Sequence, residues 1–184
     1  MLVLHFDHTS LPAVVAALRL QTLADAGGDV DFQGIDVLGV DMALPVTLDQ
    51  LDEIERWQDR AKALGLTVRR PSQRPPTLSA HLVGDIARSQ GLGATWRETV
   101  FRAYWTDDAP IDAPDTLCDL AQRAGLDPDE VAIRLRDPGA RVSVRQRMTA
   151  DRGRGIGGVP ILESDGTLVS AELSDPDLRG LAGL

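Results

Sequence analysis

The alternation of apolar and polar positions divides the chain into three stretches. Leu2-Val-Leu-His-Phe6 is a short apolar run that predicts a buried strand. Asp7-His-Thr-Ser-Leu-Pro12 breaks that run with polar and turn-forming residues, and Ala13 to Ala26 then carries a helical pattern that stops at Gly27-Gly28. Val30, Phe32, Val37 and Leu38 predict a second strand, with Gly34 read as a bulge within it. A strand, a crossover helix and a second strand form a βαβ unit, whose right-handed connection makes the two strands parallel.

From Thr47 to about Met148 the signal is helical. Thr47 with Gln50 and Thr95 with Glu98 have the spacing of capping boxes, and Asp127-Pro-Asp-Glu130 places proline at a first helical position. Gly65, Gly91 and Gly125 are the matching stops. Trp96, Val100, Phe101, Tyr104 and Trp105 recur three and four apart, an apolar stripe expected to be the core of the helical region rather than a ligand box. Arg70-Pro-Ser-Gln-Arg-Pro-Pro76 is a proline-rich hinge.

Strand chemistry returns at Gly157-Gly-Val-Pro-Ile-Leu162. Asp165-Gly166 then predicts a hairpin turn into Thr167-Leu-Val-Ser170, and the tail from Asp175 has room for about two helical turns. The order predicts an α/β fold interrupted by helices: a core of residues 1–45 and 150–184, and an inserted all-helical subdomain of residues 46–149.

Composition narrows the chemistry. The chain of 184 residues has 28 Asp and Glu against 19 Lys and Arg, a formal charge of −9 that argues against nucleic acid as a partner. The N-terminal sequence lacks a basic segment followed by an apolar core, and no apolar run approaches the roughly 20 residues of a membrane helix, so a soluble cytoplasmic protein without a membrane partner is expected. A single cysteine, Cys118, excludes an internal disulfide and any internal Cys-x-x-Cys pair; between Leu117 and Leu120 it is expected to be a small buried hydrophobe. Seven arginines between Arg134 and Arg154 invert the acidic balance locally and are expected to form a solvated helix face.

Several strings, in this order, resemble the DsbA-like branch of the thioredoxin superfamily, and most nearly its FrnE-type and 2-hydroxychromene-2-carboxylate isomerase members. Phe6-Asp7-His-Thr-Ser10 is similar to the strand end and active-site loop start of that family. Ala80-His81-Leu82, Phe101-Arg-Ala-Tyr-Trp105 and Ala121 to Val131 are similar to its helical segments. Gly157-Gly-Val-Pro160 resembles its cis-proline loop, and Ser164-Asp-Gly166 the hairpin that follows. The resemblance implies a thioredoxin-like fold with an inserted all-helical subdomain.

Where redox members of that family carry Cys-Pro-Xaa-Cys, this chain has Ser10-Leu-Pro-Ala13. A serine hydroxyl forms no mixed disulfide, so dithiol oxidoreductase activity is not expected. The resemblance therefore implies either a family member without redox function that serves in binding or assembly, or a thiol-dependent isomerase or transferase. In the second case Ser10 would donate to the thiolate of glutathione or another small thiol. The backbone at Val159 and Pro160 would clamp it, and Ser174 with Asp175 would hold its far end. Pro176 and Val14 depart from that pattern. The resemblance leaves a homodimer open.

Ser10 also suits the N-cap of a helix starting at Leu11. His8, two residues earlier, is a candidate base, against the plainer expectation of a solvated loop histidine. His5 is expected to be structural, and His81 to lie near the junction of the two regions. No metal site is expected, because His5, His8 and His81 lack ligand spacing. Gly153-Arg-Gly-Ile-Gly-Gly158 lacks the ending of a phosphate loop and leads into a strand, although Arg152 and Arg154 could meet an anion near Pro160.

Overall fold

The computed structural model describes residues 1–184. Strand β1 (Leu2–Phe6) leads through a polar loop into helix α1 (Leu11–Asp25), which returns to strand β2 (Val30–Gly34). β1 and β2 pair in parallel, from Leu2 opposite Val30 to Phe6 opposite Gly34, as the βαβ pattern predicts. β3 (Ile161–Ser164) lies antiparallel on the other side of β1, and β4 (Thr167–Ser170) closes the order β2-β1-β3-β4. Asp165 and Gly166 both have positive φ, 49° and 79°, as a two-residue turn of type I′ requires. The Val159–Pro160 peptide, just before β3, is cis.

α1 is buried on nearly every side of its N-terminal half, from Leu11 to Ala17, because the sheet covers one side and helix α2 (Leu48–Ala63) packs against another. Between β2 and β3 the named elements are all helices: α2, α3 (Leu78–Ser89), α4 (Gly93–Trp105), α5 (Pro114–Arg123), α6 (Pro128–Arg136) and α7 (Pro138–Gly153). A last helix, α8 (Asp175–Leu181), follows β4. No helix is long and apolar enough to cross a membrane.

Local signals worked where the chain itself supplies the cap. Thr47 and Gln50 form the reciprocal capping box, and Asp127 receives the Asp129 N–H ahead of Pro128. Thr95 caps nothing. The turn at Gly91 joins α3 to α4 so closely that α4 begins at Gly93, leaving Thr95 inside its first turn with its carbonyl accepting from the Thr99 hydroxyl. The bulge expected at Gly34 is also absent, since pairing with β1 runs unbroken to that residue and β2 ends there.

One apolar cluster runs from Leu2, Leu4 and α1 through Trp96, Phe101 and Trp105 to Met148 on α7, so the aromatic stripe is core. Each of those tryptophans keeps its N–H satisfied: Trp96 donates to the Ala80 carbonyl at 3.1 Å and Trp105 to the His8 carbonyl at 2.9 Å. Cys118 is only half-buried at the edge of this cluster, because it points about 100° round α5 from the fully buried Leu117. Burial and the nearby Asp115 push its thiol pKa up.

The arginine-rich segment is largely exposed, as expected of a solvated face, yet several of its side chains also bond to neighbouring elements. Arg147 donates to the Gly34 carbonyl at 3.0 Å and pairs with Asp85, while Arg152 donates to the Asp36 carbonyl. Arg141 and Arg145 both reach Asp41, and Arg154 bridges Asp151 and Glu163. The contacts to Gly34, Asp36 and Asp41 fasten α7 and the residues just after it to β2 and the segment that follows it, which lacks regular structure to satisfy its own carbonyls, while Asp85 ties α7 to α3 and Glu163 ties the residue after α7 to β3.

Candidate functional site

The site is built on the loop between β1 and α1. Asp7, His8, Thr9 and Ser10 are all buried, at 0, 1, 2 and 6% exposure, although a polar loop is ordinarily at the surface. Asp7 organises the loop. One carboxylate oxygen accepts the Thr9 N–H at 3.3 Å, and the other accepts the Val37 N–H at 2.9 Å, tying the loop to the chain that leaves β2. His81 on α3 brings Nε2 to 3.6 Å from the first oxygen. Burial alone would push the Asp7 carboxyl up, but His81, the Val37 N–H and Thr77 outweigh it and leave the pKa below its ordinary value.

His8 lies in the core rather than in solvent. Its ring stacks on His81 with centroids 4.6 Å apart, and the edges of Phe6 and Phe101 close around it. Neither ring nitrogen has a hydrogen-bond partner. Burial first, and the charge of His81 second, drive its pKa well down, so the ring is neutral. His5 is buried on β1 and meets Glu163 of β3 at 3.0 Å, a structural contact as expected.

Ser10 occupies the N-cap position of α1, yet its hydroxyl makes no capping hydrogen bond. Pro12 removes one of the two backbone donors that a capping oxygen would use. The hydroxyl opens instead on a hollow of about 240 Å³. Gly158, Val159 and Val37 also line it. Neither the N–H nor the carbonyl of Val159 is engaged by other backbone. Thus Ser10 and Val159 share one cleft, with Pro160 next in the chain, while His8 is not part of its wall.

The remaining wall comes from the helical region and was not legible in the sequence. Asp49, Gln50 and Glu53 line it from α2, and Arg74 from the segment before α3. Glu53 is half-buried, and that burial raises its carboxyl pKa against the opposing pull of Arg74, Arg56 and the Leu11 N–H at the start of α1. Arg74 is fixed by paired backbone hydrogen bonds with Leu44, both 2.8 Å, and its Nε donates to the Thr9 hydroxyl at 3.3 Å. Nothing local distinguishes Glu53 from the other acids of α2; only the packing of α2 on α1 selects it.

Ser174 and Asp175 stand elsewhere. Ser174 accepts the Asp177 N–H and caps α8, and Asp175 pairs with Arg19 of α1. Asp175 lines a separate hollow of about 500 Å³, with Val15, Trp57 and Arg60, so the structure does not join this pair to Ser10. No group of three or more His, Cys, Asp or Glu side chains is placed to hold a metal ion.

Comparisons with known proteins bear on this arrangement. A family model described as a DSBA-like thioredoxin domain matches residues 29–177. No curated protein matches the chain. Among solved structures, a probable DsbA oxidoreductase from Streptomyces coelicolor superimposes with a TM-score of 0.83 at 22% identity, covering 99% of this chain and 89% of its own. A 2-hydroxychromene-2-carboxylate isomerase gives 0.76 at 21%, covering 91 and 87%. The cytosolic disulfide reductase DsbM from Pseudomonas aeruginosa gives 0.70 at 19%, covering 97 and 95%. At these identities the likeness establishes the fold, a thioredoxin-like sheet with a helical insertion, and leaves the chemistry to the residues present.

Proposed function

We propose that this chain, which belongs to the DSBA-like thioredoxin domain family, is a non-redox member that binds a ligand or assembly partner in the cleft between Ser10 and Val159. The family scaffold is present, but with one cysteine in the whole chain there is no redox dithiol. The observation that carries the reading is the uncapping hydroxyl of Ser10, at the head of α1, in the same preformed hollow as Val159, whose backbone pairs with no other backbone. A hydroxyl and a free main-chain donor and acceptor, held on rigid elements, recognise a polar ligand without chemistry of their own.

The experiment has two arms. In the first, the protein is assayed for reduction of a disulfide dye with a thiol reductant present, and no rate above the reductant alone is expected. In the second, melting temperature is followed against a panel of small thiols, amines and peptides, and a ligand of the native state raises it by mass action. Catalysed disulfide exchange would overturn the reading, as would ligand-induced stabilisation that survives Ser10→Ala and a bulky Gly158 substitution together.

A second reading is favoured by the same free hydroxyl: a glutathione- or other thiol-dependent isomerase or transferase, with Ser10 donating to the thiolate. It is weakened by the carboxylate of Glu53, which lines the same hollow as Ser10 at the end of α1 that would stabilise an anion. Stabilisation by glutathione, lost in Ser10→Ala, would favour it over the first.

A further inference from the structure

The cleft differs from an anion-receiving helix end in the charges around it. Two carboxylates, Asp49 and Glu53, line it against one guanidinium, Arg74, whose Nε already donates to Thr9. Glu53 lines the same hollow as Ser10, so a carboxylate from α2 stands beside the head of α1, where the helix carries partial positive charge. Ser10, at 6% exposure, turns a hydroxyl with no capping partner into the same space, leaving its lone pairs free to accept.

Resting on the binding reading above, we propose that the ligand of this cleft carries a primary ammonium group, received by Glu53 with the Ser10 hydroxyl oxygen as second acceptor. Three N–H donors of an ammonium match a carboxylate with no salt-bridge partner and a hydroxyl oxygen with no capping bond, whereas a thiolate entering beside Ser10 faces two carboxylates. Glu53 is then the specificity-determining residue, and Asp49, exposed at the rim, adds attraction without direct contact. Such an ammonium comes either from a free amine or from a lysine side chain on an extended peptide, for which the unpaired backbone of Val159 offers a main-chain partner.

The test is a titration of the full chain labelled with nitrogen-15, following the amides of Ser10, Gly158 and Val159. The probes are cadaverine for the free amine, acetyl-Ala-Lys-Ala-amide for the lysine source, the same peptide with norleucine in place of lysine, and glutathione. The lysine peptide or cadaverine is expected to shift these amides, with the stronger of the two naming the source, and the norleucine peptide to bind about tenfold more weakly, the loss of one charge-assisted hydrogen bond. Glu53→Gln should abolish the preference for lysine over norleucine, and Asp49→Asn should reduce it in part. Equal binding of the two peptides, or a preference that survives Glu53→Gln, overturns the proposal. Shifts with glutathione and with neither amine probe overturn it too, while leaving the cleft standing as a binding site.

Discussion

His81 occupies the space that a side chain at position 34 would need: a Cβ built on Gly34 would lie 1.9 Å from the His81 Nδ1. The last residue of β2 is therefore glycine because a buried imidazole from α3 rests on its backbone. Through that contact His81 is held beside Asp7 and against His8.

Gly34→Ala is accordingly expected to destabilise the protein by on the order of 3 kcal/mol, through displacement of His81 rather than through backbone strain. Chemical denaturation measures it. In a His81→Ala background the same substitution should cost much less, because the colliding ring is gone. Equal costs in both backgrounds would show that the packing on Gly34 is not the cause.

Trp105→Phe should cost about 1–3 kcal/mol, because it leaves the buried His8 carbonyl without its donor while keeping most of the apolar volume. This hydrogen bond links α4 to the loop that precedes Ser10. Trp57→Phe, at a half-buried position with no such bond, is expected to cost well under half as much. Reversal of that order in urea midpoints would remove the loop-anchoring role from Trp105.

How much of this could be read beforehand follows from the distance along the chain over which each feature is decided. The capping box of Thr47, the glycine stops and the Asp165-Gly166 turn are settled by neighbours a few residues apart, and the sequence pattern locates them. The burial of His8, the glycine at position 34 and the arginine seam of α7 are settled by residues from distant elements that meet only after folding. Thr95 shows the same limit in reverse, since its spacing to Glu98 is right and the turn at Gly91 overrides it. At the site, Ser10 and Val159 followed from resemblance, whereas Glu53 and Arg74 depend on how the inserted helices seat on α1.

The buried loop gives stability a definite pH dependence. His8 has a folded pKa well below its ordinary 6.5, so the unfolded chain binds its proton first as pH falls. Stability is fully present above about 6.5 and declines below it, at a slope of at most about 1.4 kcal/mol per pH unit for one proton. Asp7, also lowered, adds a further decline once pH drops below its ordinary 3.8. Asp36 and Glu53 are raised by burial and act in the opposite sense in the carboxylate range, so the clean window for His8 lies above it. His8→Phe should flatten the stability profile between about pH 5 and 6.5. An unchanged slope would mean that His8 is not the titrating group.

Arg147→Ala is expected to cost about 1–3 kcal/mol, since it strips a donor from the Gly34 carbonyl as well as a partner from Asp85. Arg134→Ala, whose salt bridge to Asp137 lies between two exposed side chains, should change stability by less than about 0.5 kcal/mol. High salt should narrow the difference only slightly, because the bond to Gly34 is to a carbonyl and not to a charge. Equal effects of the two substitutions would remove the anchoring role from Arg147.

The absence of a redox dithiol makes a constructive prediction. Positions 10 and 13 stand three apart at the head of α1, where Cα atoms about 5 Å apart lie within the range of a disulfide. Ser10→Cys with Ala13→Cys is therefore expected to form an internal disulfide and to gain thiol–disulfide exchange with a dye substrate, whereas the unaltered chain and Cys118→Ser both have none. The thiolate introduced at position 10 would feel the head of α1, which lowers a thiol pKa, and the Glu53 carboxylate, which raises it. Adding Glu53→Gln should thus lower that pKa and speed attack at neutral pH, as read from the pH dependence of alkylation by iodoacetamide. A folded double variant that closes no disulfide would show that the Ser10 position does not have the geometry of the redox members. A pKa unmoved by Glu53→Gln would show that this carboxylate does not govern the charge of the cleft.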